Sequence, residues 1–76
     1  MARGPRYSLE GVHASPGSII GCVKDAMWDL DYPTRVVNAW AQEALTIKDF
    51  DKLIKHCQAK LDELNHKYVQ RNIRCL

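Results

Sequence analysis

The feature that most constrains the fold is an unbroken stretch from Thr46 to Leu76 that contains no glycine or proline. Within it, apolar residues recur at alternating steps of three and four positions, the spacing of the a and d positions of a heptad repeat. This periodicity predicts one long amphipathic helix over residues 47–73 with a coiled-coil-like apolar seam. We expect the seam to form the core or a dimer contact; it consists of Phe50, Ile54, Cys57, Leu61, Leu64 and Tyr68.

Local signals divide the preceding residues into two shorter helices. Ser15 followed by Pro16 is a typical helix start, because serine can cap free N–H groups and proline suits the first helical position. The stretch around Pro33 interrupts the helical periodicity, since a residue before proline is pushed away from helical angles. Thr46 with Asp49 resembles a capping box, which predicts that the long helix begins at Ile47. The predicted helices are therefore residues 16–30, 33–45 and 47–73.

The predicted fold is all-α: a small three-helix arrangement in which two short helices pack along the long C-terminal helix, within one domain over residues 15–76. The long helix measures about 40 Å at 1.5 Å per residue, which exceeds the ~30 Å width of a compact chain of this size. Helical surface that the short helices do not cover would therefore be available to a partner, including a second copy in a homodimer.

Residues 1–14 carry two glycines, a proline and little periodicity, a composition typical of a flexible arm. The arm is basic, through Arg3 and Arg6. An alternative is a short extended contact made by apolar side chains of this segment, namely Tyr7, Leu9 and Val12.

Charge and cysteine usage exclude several classes of protein. The net charge of +2, from 11 lysines and arginines against 9 acidic residues, is too small to imply a nucleic acid or a membrane by itself. Three widely spaced cysteines do not form the disulfide framework of a secreted protein. The basic N-terminus is not followed by the apolar region of a signal peptide, and no apolar run approaches the ~18 residues of a membrane span. We therefore expect a soluble, cytoplasmic protein that does not bind membranes.

Candidate chemistry is weak, and we predict no catalytic residue, metal ligand or cofactor. His56 and Cys57 are adjacent, but neighbouring residues on a helix do not face each other, and a thiol on an apolar seam is desolvated. No cysteine or histidine pair has the spacing of a zinc site. The acidic residues near the second helix start, Asp29 and Asp31, are explained by the helix dipole rather than by acid–base work.

The function predicted from these features is that of a small non-enzymatic regulator, inhibitor or adaptor that acts through helix-mediated protein–protein interaction. A tryptophan beside acidic residues is a natural anchor for a partner protein. The candidate partner-binding residues are Trp28, Asp29, Asp31 and Tyr32.

The alternative is a transcriptional regulator that binds nucleic acid. Residues 35–57 can be interpreted as a helix-turn-helix, but two aspartates near the start of its second helix would repel phosphate. The basic residues at the two chain ends are the better candidates, namely Arg3, Arg6, Lys67, Arg71 and Arg74.

Overall fold

The computed structural model describes the backbone of residues 6–74 and the side chains of residues 6–70. The described chain contains three helices and no strand: α1 (Pro16–Asp29), α2 (Thr34–Leu45) and α3 (Phe50–Arg74). The prediction of an all-α, three-helix fold is thereby confirmed, whereas coiled-coil geometry stays a prediction. α1 packs against both α2 and α3, and the whole is flat, with principal extents of 42 × 32 × 16 Å.

α1 begins as the sequence predicts. The hydroxyl oxygen of Ser15 accepts a hydrogen bond of 3.3 Å from the backbone N–H of Ser18, and Pro16 is the first helical residue. The cap satisfies one of the N–H groups that a helix start leaves free. The helix then buries Val23 and Met27 completely.

α1 ends in a Schellman motif whose left-handed residue is Asp31. The N–H of Tyr32 donates to the carbonyl of Met27 at 3.0 Å, and the N–H of Asp31 donates to the carbonyl of Trp28 at 2.9 Å. Asp31 has a φ of 64°, a conformation that usually requires glycine. This turn reverses the chain, so that α2 can pack against α1.

The start of α3 differs from the prediction, because Thr46 and Asp49 do not cap the same helix. The Thr46 hydroxyl donates to the carbonyl of Glu43 at 2.6 Å and thereby closes the end of α2. Asp49 alone caps α3, where its Oδ1 accepts from the N–H of Lys52 at 3.2 Å. The capping-box prediction is therefore wrong, and α3 begins at Phe50 instead of Ile47.

The core lies between the three helices and contains no buried polar or charged residue among those described. On α3, Cys57, Leu61 and Leu64 of the predicted seam are buried, while Phe50 is 37% exposed and Leu53, which the seam omits, is buried. The two remaining seam residues, Ile54 and Tyr68, are half-buried. A heptad seam assumes one neighbouring helix, whereas a helix packed against two neighbours buries a wider and rotated stripe.

The predicted flexibility of the N-terminal arm is not confirmed over residues 6–14, which lie against the helices. The carbonyl of Leu9 accepts from the N–H of Val12 at 3.0 Å, and Gly11 between them has a φ of 79°. A positive φ at the third residue is the signature of a type II turn and favours glycine. Residues 1–5 of the predicted arm, including Arg3, lie outside the described residues.

Within residues 6–74, no helix is both long enough and apolar enough to cross a bilayer.

Candidate interaction surfaces

The end of α1 carries the four residues predicted to bind a partner, which we call the α1-end patch: Trp28, Asp29, Asp31 and Tyr32. Trp28 is 41% exposed, and the Nζ atom of Lys24 lies 5.3 Å from the centre of its ring. A cation over an indole face is attracted by the ring quadrupole. Both aspartates are exposed. The patch therefore presents an accessible aromatic ring between charges of both signs.

Tyr32, the fourth residue of this patch, is half-buried and is held by α3. The Nζ atom of Lys67 donates a 2.7 Å hydrogen bond to the Tyr32 hydroxyl oxygen and lies 5.0 Å from the ring centre. This hydrogen bond raises the pKa of the Lys67 ammonium above its ordinary value. The contact ties the turn after α1 to the C-terminal half of α3.

Asp29 is engaged by the N-terminal arm instead of being free for a partner. The Tyr7 hydroxyl donates to Asp29 Oδ2 at 2.5 Å, and an Arg6 guanidinium nitrogen lies 3.9 Å from the same oxygen. Partial burial raises the pKa of the Tyr7 phenol to about 12, and the hydrogen bond to the Asp29 carboxylate acts in the same direction. The phenol therefore stays protonated and remains a donor at any ordinary pH.

The backbone of the arm is bound by a side chain of α3. The N–H of Tyr7 donates to Asn65 Oδ1 at 2.7 Å, and Asn65 Nδ2 donates back to the Tyr7 carbonyl at 2.8 Å. On the α1 side, the Cys22 thiol donates to the carbonyl of Ser8 at 3.4 Å. Two consecutive arm residues are thus fixed through their main chain.

Tyr68 completes the contact between arm and helix. Its ring meets that of Tyr7 edge-on, with centres 5.8 Å apart and planes at 77°, and the Arg6 guanidinium carbon lies 5.2 Å from its centre. Edge-to-face rings and a guanidinium over an aromatic face are both favourable arrangements. Tyr68, which the sequence assigns to the apolar seam, therefore contacts the arm.

The basic residues proposed for nucleic-acid binding are divided between two groups. Arg6 and Lys67 make the intramolecular contacts described above. Arg71 and Arg74 belong to the last turns of α3, where the structure describes the backbone but not the side chains, and Arg3 lies outside the described residues.

Cys22, Cys57 and His56 are partly or fully buried in the helices. Burial raises the pKa of the Cys57 thiol to about 11 and also raises that of Cys22, which disfavours the reactive thiolate. His56 stacks on Trp40 of α2, with ring centres 5.7 Å apart and planes at 5°. Its Nε2 atom is buried without a hydrogen-bond partner in the described part of the chain. Among residues 6–70, no cluster of three or more side chains could hold a metal ion.

Tyr7 and Asn65 are the residues whose pairing the sequence does not reveal. The sequence marks Tyr7 only as one member of a possible extended contact, and nothing marks Asn65, a polar residue beside an apolar stripe. Their partners lie 58 positions away along the chain, and such distant pairings leave no local pattern. Protein-family models, curated proteins and solved structures show no significant similarity to this chain.

Proposed function

We propose that this chain is a small, non-enzymatic, cytoplasmic regulator or adaptor that binds another protein through its helix faces, with Trp28 as the anchor. The observation that carries the proposal is the 41% exposure of an indole on a helix whose opposite face is fully buried. Tryptophan is enriched among the residues that dominate binding energy at protein interfaces. The negative charge of Asp31 near the ring would favour a partner with basic residues around an apolar pocket.

The size of the expected contribution follows from the exposed area. The uncovered part of the Trp28 side chain amounts to about 100 Å², since a tryptophan offers up to ~250 Å² for burial. At about 25 cal/mol per Å², complete burial of that area contributes about 2.5 kcal/mol, a little under a hundredfold in Kd. A substitution that removes the ring should therefore abolish capture of a micromolar partner.

Affinity capture from a lysate of the source cells, compared across variants, tests the proposal. The wild-type chain and Trp28→Ala are used as bait beside Val36→Ala, which truncates another exposed apolar residue, 38% exposed on α2. We expect a protein that the wild type and Val36→Ala retain and Trp28→Ala loses. Retention of the same proteins by all three baits would contradict a role for Trp28. Sedimentation of the purified chain then separates a homodimer from a monomer.

One observation favours a second candidate, nucleic-acid binding. The arm places Arg6 over Tyr68, which directly follows Lys67 in α3, so basic residues distant in the sequence lie at one end of the molecule. Clustered positive charge binds phosphate with a steep dependence on salt. Retention on DNA or RNA that falls sharply between low and moderate salt would support this function, and no retention at low salt would remove it.

A further inference from the structure

Residues 6–9 lie across α1 and α3 in the manner of a bound peptide. The residues that hold them define what we call the arm groove: Cys22 and Asp29 of α1, and Leu61, Asn65 and Tyr68 of α3. The hydrogen bonds between arm and groove join residues 14, 22 and 58 positions apart, so this segment is attached to the helices from outside rather than being part of them.

Asn65 and Cys22 of the groove bind the main chain of the arm through hydrogen bonds. The Asn65 carboxamide pairs with both the N–H and the carbonyl of one residue, at 2.7 and 2.8 Å. The Cys22 thiol binds the carbonyl of the next residue at 3.4 Å. These contacts fix the register of the segment in the groove, whose chain bends at Arg6 and Tyr7. Main-chain hydrogen bonds of this kind hold a peptide in place whatever its side chains are.

The groove also selects two side chains. Asp29 accepts a hydrogen bond from a phenol and attracts a guanidinium, with the Tyr7 oxygen at 2.5 Å and an Arg6 nitrogen at 3.9 Å. The Tyr68 ring packs edge-on against the Tyr7 ring, and its face contacts the Arg6 guanidinium. The chemistry that fits is a basic residue followed directly by a tyrosine.

We propose that the arm groove is a binding site for a short segment of another protein in which a basic residue precedes a tyrosine, and that residues 6–9 occupy it as an intramolecular competitor. The site shares Asp29 with the α1-end patch but does not include the Trp28 ring, and it adds a second, sequence-selective surface to the function proposed above. The groove opens when the arm swings away about the turn at Gly11.

We favour another protein over a second copy of this chain as the occupant of the groove, because only another protein can add contacts that the chain's own arm lacks. An exchanged arm makes only the contacts that the chain's own arm already makes, and association still costs translational entropy. Clefts of about 560 and 690 Å³ remain on the two sides of Tyr7 and Ser8. A partner with larger side chains next to the tyrosine fills these clefts and gains contacts that the arm lacks.

Fluorescence anisotropy with a labelled peptide of residues 4–11 tests the proposal on the full chain. Tyr7→Ala loosens the chain's own arm, so we expect it to bind the peptide roughly tenfold more tightly than the wild type, because the competing fraction falls. Adding Asn65→Ala to that variant removes two hydrogen bonds and should weaken binding by roughly tenfold or more. The matched control is Asn38→Ala, at an exposed asparagine of α2, which should have no effect.

Further variants of the peptide and of the protein test which contacts produce the binding. A peptide with phenylalanine in place of its tyrosine should bind roughly fivefold more weakly, since the bond to Asp29 is lost. If circular dichroism shows that Tyr7→Ala is unfolded, Tyr7→Phe, which removes only the hydroxyl, takes its place. Val36→Ala, on α2, should leave peptide affinity unchanged. Peptide affinity reports on the groove and lysate capture reports on Trp28, so failure of the Trp28 proposal does not decide this one.

Two results would overturn the inference. The first is absence of peptide binding to the folded Tyr7 variant, or binding that Asn65→Ala does not change. The second is a concentration-dependent dimer of the wild-type chain that Tyr7→Ala abolishes, which would assign the groove to the arm of a second copy.

Discussion

Replacing Asp31 by glycine should leave this protein more stable than replacing it by alanine. Asp31 occupies the left-handed position of the Schellman motif that ends α1, with a φ of 64°. In that conformation the Cβ atom of an L-residue approaches the following carbonyl, which costs about 1 kcal/mol, whereas glycine carries no such cost. Asp31→Gly should thus remove strain where the backbone is already fixed by bonds from Asp31 and Tyr32 to earlier carbonyls.

A comparison of Asp31→Gly with Asp31→Ala isolates the free-energy cost of the positive φ at this position. Asp31→Ala removes the carboxylate and its interactions but keeps the Cβ atom, so the difference between the two variants reports the backbone term alone. We expect Asp31→Gly to be more stable than Asp31→Ala by about 1 kcal/mol, or roughly 4–8 °C in Tm for a domain of this size. Urea and thermal unfolding followed by circular dichroism at 222 nm measure both quantities.

Substitution of an aspartate within α1 by glycine is the control, because glycine should lower the stability there. Asp25 is an exposed residue in the middle of the helix, where glycine is a poorer helix former than aspartate. Asp25→Gly should therefore destabilise by a few tenths of a kcal/mol. Equal stabilities of Asp31→Gly and Asp31→Ala would refute the assignment of strain to this turn.

Three further outcomes are expected. Cys57→Ser should destabilise by about 1–3 kcal/mol in urea unfolding, because it places a hydroxyl at a fully buried position; an unchanged midpoint would put the thiol at the surface. Gly11→Ala should weaken arm docking by about 1 kcal/mol through its positive φ, seen as faster amide exchange at Tyr7 with the helices unaffected. The Tyr7 phenol, with its pKa raised from 10.0 to about 12, should titrate near pH 12 by absorbance at 295 nm. Since the folded state holds that proton more tightly, the stability from this group is present below pH 10 and is lost as the pH rises towards 12; Tyr7→Phe should lack the loss.

The helices could be predicted from the sequence because their signals are local. The three- and four-residue spacing of apolar residues and the cap at Ser15 each act within a few positions, and both correspond to the structure. The start of α3 could not be assigned correctly, because Thr46 has carbonyls of α2 within reach as well as N–H groups of α3. The burial of Leu53 in place of Phe50 depends on which helices pack against α3, and spacing along one helix does not contain that information.

The proposed interaction surfaces could be predicted from the sequence only in part. Trp28 stands out in the sequence as an aromatic residue beside acidic ones, and its exposure agrees with the idea of an anchor. The arm groove depends instead on Asn65, whose partner is the main chain of Tyr7. A carboxamide that pairs with a backbone leaves no compositional trace at either position.

The Tyr7–Asn65 pair also bears on the order in which this molecule assembles. It joins residues 58 positions apart, and closing so long a segment costs chain entropy before any contact rewards it. The helices need only nearby residues and the contacts among themselves, so the arm should dock last, onto a groove that already exists. By the same reasoning, it should be the first segment to detach in brief local openings, long before the helices separate.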